Sequence, residues 1–211
     1  MSPEPSLFVF DLDGTLLDSI GDLVVAVNRL VAEWGGRPLH HDAVVKMVGE
    51  GADLLVSRAL DASGVTGDPS QALPRFIEIY DAILPGDTRP YPGVPEMLQS
   101  LAPAAPMAVL TNKPTGSAVR ILSMLGLDRL FTRIVGGDGP HGRKPGPEGL
   151  VGLVTEARAE PRSTWLIGDS TVRTGSLGNG ANGQWGWGAP IADFFDRTQI
   201  IVSVDRCITL E

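Results

Sequence analysis

Leu7-Phe8-Val9-Phe10-Asp11-Leu12-Asp13-Gly14-Thr15-Leu16-Leu17-Asp18-Ser19 is the stretch whose reading decides the fold. Leu7 to Phe10 is short, wholly apolar and ends on Asp11, the pattern of a buried parallel strand that delivers polar residues at its C-terminal end. In open α/β sheets that end is where ligands bind. The pattern recurs at Met107 to Leu110, followed by Thr111-Asn112-Lys113, and at Thr164 to Ile167, followed by Gly168-Asp169-Ser170. Helical segments lie between these strands. Ser117 to Leu125 carries Val119, Leu122 and Leu125, and Pro147 to Arg158 carries Leu150, Leu153 and Val154. Alternating strands and helices predict a doubly wound, Rossmann-like α/β core with a mostly parallel sheet.

Residues 19–84 break the alternation. No comparable strand occurs there, and Ile20, Leu23, Val24, Val27, Leu30, Val31 and Trp34 share one face of a helix that Gly35-Gly36 ends. Two further helices are predicted near Ala52 to Leu60 and Gln71 to Ile83, separated by the turn-rich 62–69. Residues 1–18 and 85–211 are therefore assigned to the α/β core and 19–84 to a helical cap. Both linkers of that cap fall beside the first strand end. The final segment, 173–211, is atypical: Thr174 to Ala192 has no charged residue and is crowded with Gly, Asn and Trp, and only Gln199 to Val204 afterwards reads as a strand.

Composition narrows the function. Of 211 residues 43% are hydrophobic, enough for a sizeable core, so disorder is not the default. The net charge of -8, with 25 acidic against 17 basic residues and no basic run, argues against nucleic acid as a partner. No apolar stretch approaches the roughly 18 residues that span a bilayer. One cysteine, Cys207, allows no internal disulfide, and MSPEPSLFVF lacks the regions of a secretory signal. The expectation is a cytoplasmic protein, monomer or homodimer, that acts on small molecules.

Asp11 and Asp13 bring two carboxylates to one strand end, with the Gly14 turn allowing each a separate task. One can attack phosphorus while the other protonates the leaving oxygen. Such crowded negative charge repels a phosphate dianion, which calls for a hard cation with oxygen ligands, naturally Mg2+. The plainer alternative is a pair of aspartates that caps a turn.

Phe8-Val9-Phe10-Asp11-Leu12-Asp13-Gly14-Thr15-Leu16-Leu17-Asp18-Ser19 resembles the first motif of the haloacid dehalogenase superfamily. That resemblance implies Asp11 as nucleophile and Asp13 as general acid/base. Val109-Leu110-Thr111-Asn112-Lys113-Pro114 resembles the second motif, which implies that Thr111, with Asn112, binds the phosphoryl group. Taken alone, Thr111 also reads as a helix cap. Arg143-Lys144-Pro145-Gly146-Pro147 resembles the third motif, making Lys144 the cation that offsets the charge gathered around nucleophile and phosphate. Leu166-Ile167-Gly168-Asp169-Ser170 resembles the start of the fourth, which implies that Asp169 joins Asp11 and Asp13 in binding Mg2+. Thr-Asn-Lys-Pro, Val135-Gly136-Gly137-Asp138, Tyr91-Pro92-Gly93-Val94 and the helical insert resemble phosphoglycolate phosphatases in particular.

The implied function is Mg2+-dependent hydrolysis of a small phosphate monoester, 2-phosphoglycolate or similar, through an aspartyl-phosphate. One position departs from the pattern. Arg173 stands where the fourth motif has a second acid, and a positive charge beside a divalent cation weakens metal binding. The uncharged tract that follows suggests a reading frame shifted from about Arg173. A catalytically impaired relative that binds phosphorylated ligands is therefore an alternative, and a phosphomutase is another.

Overall fold

The computed structural model describes residues 4–168 and 201–203. Residues 1–3, 169–200 and 204–211 lie outside the described residues, and with them Asp169, Arg173 and most of the atypical tail. Five strands form one sheet: β1 (Leu7–Phe10), β4 (Met107–Leu110), β5 (Arg133–Val135), β6 (Thr164–Ile167) and β7 (Ile201–Ser203), in the order β5-β4-β1-β6-β7. Every adjacent pair is parallel. The α/β fold read from the sequence is the one observed, and β7 sits at the β6 edge within the stretch that reads as a strand.

β1 is central and buried on both faces, which is why it shows an unbroken apolar run rather than alternation. Leu7 and Val9 pack with Leu150, Leu153, Val154 and Leu166 on one side of the sheet. Phe8 and Phe10 face the larger core on the other side. Fully burying a side chain such as Phe10 contributes about 1.5–3 kcal/mol, so β1 is well held and its end is a rigid platform. Three helices flank the sheet: α5 (Val94–Leu101), α6 (Thr115–Met124) and α7 (Glu148–Glu156).

Between β1 and α5 lie four helices: α1 (Ile20–Glu33), α2 (His41–Val45), α3 (Ala52–Ser63) and α4 (Pro69–Ile83). α1 buries Leu23, Ala26, Val27, Leu30 and Val31, the spacing of one helical face. Gly35, at φ +74°, turns the chain out of it. α4 starts with Asp68 accepting the Ser70 N–H and Pro69 in the first turn. α2 has five residues, too short to show a period, and the sequence reading did not foresee it. No helix among the described residues is long and apolar enough to cross a membrane.

The chain crosses between the sheet and these helices twice, and the crossings pair. β2 (Leu17–Asp18) and β3 (Arg89–Pro90) form a short antiparallel ladder. Just beyond it, buried Asp22 of α1 accepts the Asp87 N–H at 2.8 Å, the Thr88 N–H at 3.1 Å and the Thr88 hydroxyl at 2.6 Å. One carboxylate therefore ties the outgoing crossing to the returning one.

Candidate active site

Register sets the site. Phe10 pairs with Val109 on one side and Ile167 on the other, so Asp11 leaves the sheet beside the ends of β4 and β6. The Asp11 N–H donates to the Ile167 carbonyl at 2.9 Å, and the Thr111 N–H to the Val135 carbonyl at 2.9 Å. After Asp13 the chain turns back at Gly14, at φ +79°, where an L side chain would be strained. The N–H groups of Leu16 and Leu17 close this turn on the Leu12 carbonyl at 2.9 and 3.0 Å.

Asp11 is 6% exposed. Its Oδ1 accepts the Leu12 N–H at 2.8 Å and lies 2.6 Å from Lys144 Nζ, which is equally buried. Asp13 is placed differently. Its Oδ1 accepts the Ser19 hydroxyl at 2.5 Å and pairs with Lys113 Nζ at 3.1 Å. Each aspartate thus has its own ammonium group. Burial pulls the Lys113 ammonium downward, but the Asp13 carboxylate and the Tyr80 hydroxyl beside it win, holding it above the ordinary lysine range. It stays charged at any pH at which the protein would work.

Thr111 is 2% exposed, and its Oγ1 accepts the Lys113 N–H at 3.1 Å. That bond occupies a lone pair and leaves the hydroxyl proton for a ligand. Asn112 does something the sequence did not foretell. Its Oδ1 accepts the Lys144 N–H at 2.8 Å, and its Nδ2 donates to the Lys144 carbonyl at 3.1 Å and to the Gly49 carbonyl at 3.0 Å. Both amide protons are spent on backbone, so the side chain anchors the loop that carries Lys144.

Val135-Gly136-Gly137-Asp138 explains how the Thr111–Thr115 turn is held. A Cβ on Gly136 would lie 2.4 Å from the Thr115 nitrogen and 2.5 Å from the Lys113 oxygen, so only glycine admits this approach. Asp138 then accepts the Thr115 N–H and hydroxyl at 2.7 and 2.6 Å.

Asp11, Asp13, Thr111, Asn112, Lys113 and Lys144 line the floor of a cavity of about 500 Å³, and residues of α1–α4 and their loops, among them Leu23, Val48, Leu55, Phe76 and Tyr80, line the rest. The volume suits a small ligand. Among the described residues, polar links join the helical insert to the core around it. Besides Asn112 to Gly49, Lys113 Nζ donates to the Tyr80 hydroxyl at 2.9 Å, Ser117 Oγ to Asp81 at 2.7 Å, and Arg143 reaches Asp53 through two nitrogens at 2.5 and 2.7 Å. Arg143 also donates to the Glu50 carbonyl at 3.0 Å. Its guanidinium holds the Asp53 carboxyl below the usual range.

The sequence expectation brought Asp11, Asp13, Thr111, Asn112 and Lys144 to one place, and the structure gathers all five around this cavity. Lys113, Tyr80, Ser19 and Asp22 were missed as site or hinge residues. For Asp22 a signal existed: positions 22, 26 and 30 fall on the apolar face of α1, so an acid there had to be buried. Tyr80 offered none, since its partner stands 33 residues away.

A divalent cation fits this donor set in chemistry. Asp11 and Asp13 present oxygens only, the ligand type Mg2+ takes. Both ammonium groups are already matched to an aspartate, so the negative charge of an arriving phosphate dianion calls for a further cation, which Mg2+ would supply. Among the described residues no group of three or more His, Cys, Asp or Glu side chains gathers. Asp169, the third ligand the sequence suggested, lies outside the described residues, two positions after Ile167.

Residues 8–176 match the haloacid dehalogenase-like hydrolase family. A phosphoglycolate phosphatase of Agrobacterium fabrum is 38% identical over 172 residues, covering 80% of this chain and 74% of that protein. One from Haemophilus influenzae is 36% identical over 178 residues, 81% of this chain and 80% of that protein. Among solved structures, a protein of Haemophilus somnus described as a predicted phosphoglycolate phosphatase superposes with a TM-score of 0.75 at 33% identity, covering 80% of this chain and 79% of that one.

Proposed function

The chain belongs to the haloacid dehalogenase-like hydrolase family, and from that premise we propose that it is a phosphatase that hydrolyses a small phosphate monoester, 2-phosphoglycolate first among the candidates. The observation that carries this reading is Asp11 itself: a buried carboxylate at the end of the central strand, 2.6 Å from Lys144, with Asp13 two residues on and Thr111 beside it at the floor of one cavity. The choice of substrate is supported by the name shared by these relatives, each more than one third identical.

Asp11 attacks phosphorus, and the bond to the ester oxygen breaks as the aspartyl–phosphorus bond forms. Asp13 gives its proton to the departing oxygen, then takes one from the water that attacks the same phosphorus, releasing inorganic phosphate and restoring Asp11. The Thr111 hydroxyl donates to a phosphoryl oxygen. Lys144 offsets charge at the nucleophile, and Asn112 keeps Lys144 in place. Asp11 and Asp13, joined by Asp169, would hold Mg2+, which when bound supplies the charge that lets a dianion approach two carboxylates. Residues 19–84 serve as a cap whose links through Tyr80, Asp53, Gly49 and Asp81 close the cavity over the substrate and exclude water.

Phosphate release from 2-phosphoglycolate, with Mg2+ and after chelation, tests the reading. Turnover stops on chelation and returns with Mg2+, and Asp11→Asn lowers it on the order of 10³-fold or more. A fully active Asp11→Asn variant refutes the nucleophile. A kcat/KM for 2-phosphoglycolate no higher than for other small phosphate esters refutes the substrate.

A further inference from the structure

Asp13 has two carboxylate oxygens, and the contacts among the described residues fasten one of them. Oδ1 accepts the Ser19 hydroxyl at 2.5 Å and the Lys113 ammonium at 3.1 Å, while among the described residues Oδ2 takes neither bond. An oxygen that accepts from two donors cannot also carry the acid proton, because that proton would point at theirs. Oδ2 is the oxygen left for a reacting group, and whatever holds Oδ1 decides where Oδ2 points.

Lys113 is held in turn by the insert. Its ammonium donates to the Tyr80 hydroxyl at 2.9 Å and lies 4.4 Å from the centre of the same ring. Tyr80 sits on α4, stacked on Phe76 at 6.1 Å between ring centres. Lysine has a long flexible stem, and with a side chain 4% exposed Lys113 has these few polar contacts to define where its charge rests.

We propose that Tyr80 is a positioning residue: through Lys113 it orients Asp13, so that the general acid is aligned only when α4 is docked on the core. The proposal rests on the phosphatase reading above and adds a link between cap docking and proton delivery. Its chemical consequence is selective. An alkoxide must be protonated as it leaves, whereas a nitrophenolate departs without a proton. Loosening Asp13 therefore slows phosphoryl transfer to Asp11 from alkyl esters and spares it from activated aryl esters, a difference read in kcat/KM because the later hydrolysis step, with Asp13 as base, is common to both.

Tyr80→Phe removes the hydroxyl and keeps the stacked ring, so it is the variant of choice, with Lys113→Met as a second that removes the ammonium but keeps the stem. Steady-state kinetics are measured with Mg2+ on 2-phosphoglycolate and on 4-nitrophenyl phosphate, with circular dichroism to verify folding. The expected result for Tyr80→Phe is a fall in kcat/KM of about tenfold or more on 2-phosphoglycolate and less than about twofold on the aryl ester, since a positioned acid contributes roughly 10²–10⁴-fold. Lys113→Met shows a larger gap of the same sign. Equal losses of kcat/KM on both esters mean that Tyr80 merely packs and overturn the proposal while the phosphatase reading stands. If the unaltered chain turns over neither ester, the phosphatase reading fails and takes this proposal with it.

Discussion

Replacing Asp22 tests how the two crossings between sheet and insert are held together. The carboxylate accepts three hydrogen bonds from residues 87 and 88, while the Thr88 N–H has a second acceptor in the Pro85 carbonyl at 2.8 Å. Asp22→Ala therefore leaves two donors without an acceptor, the Asp87 N–H and the hydroxyl of fully buried Thr88. At about 1–3 kcal/mol for each stranded group, the loss is about 2–6 kcal/mol. Asp22→Asn keeps one oxygen and strands one donor, for about 1–3 kcal/mol. Against a total stability of about 5–15 kcal/mol these are large fractions. Urea unfolding gives the measurement: with a slope of about 2 kcal/mol per molar, the midpoint falls by about 1 M or more for Ala and by less for Asn. Gly86 supplies a built-in control. At φ +48° it faces the same carboxylate, and a Cβ there would lie 2.2 Å from Asp22 Oδ1. Gly86→Ala should displace the carboxylate in the native protein and cost less once Asp22 is alanine. An Asp22→Ala variant within about 0.5 kcal/mol of the native protein, or additive losses in the double variant, would falsify this account of the hinge.

Two further outcomes follow from the packing around the site. The Arg143–Asp53 pair, with both side chains about two-fifths exposed, should show a coupling of only about 0.2–1 kcal/mol in a double-mutant cycle, shrinking in high salt. Because Arg143 depresses the Asp53 carboxyl, that coupling is fully present above the ordinary value of 3.8 and disappears as pH falls through the lowered one. A coupling that grows in acid contradicts the assignment. Gly136→Ala forces a methyl into backbone atoms of the turn that carries Asn112 and Lys113, so stability should drop by about 1–3 kcal/mol and turnover should fall with it. Unchanged activity would mean that the turn tolerates a shift the geometry forbids.

Some of this site is legible in one dimension because its parts are delivered by strand ends. Asp11 and Asp13 share a run of three residues, and the apolar block before them announces the strand that exposes them. Thr111 follows a second such block, and the same alternation of strand and helix dictates the doubly wound core. Helix α1 declares its buried face through i, i+4 spacing. The pieces that escaped are short or paired at a distance: α2 with five residues, and the two-residue ladder of β2 and β3, where no period can develop.

The strand and the two aspartates at its end were thus determined by the sequence alone, since a strand's polarity and its terminal residues are local properties of the chain. Which oxygen of Asp13 is held, that Asn112 spends its amide on Lys144 and Gly49, and that Asp22 pins Thr88 from 66 residues away were decided by tertiary structure. A hydrogen bond between distant side chains leaves no pattern in the sequence. It exists only once folding has closed the loop between them and removed the water that would otherwise take its place.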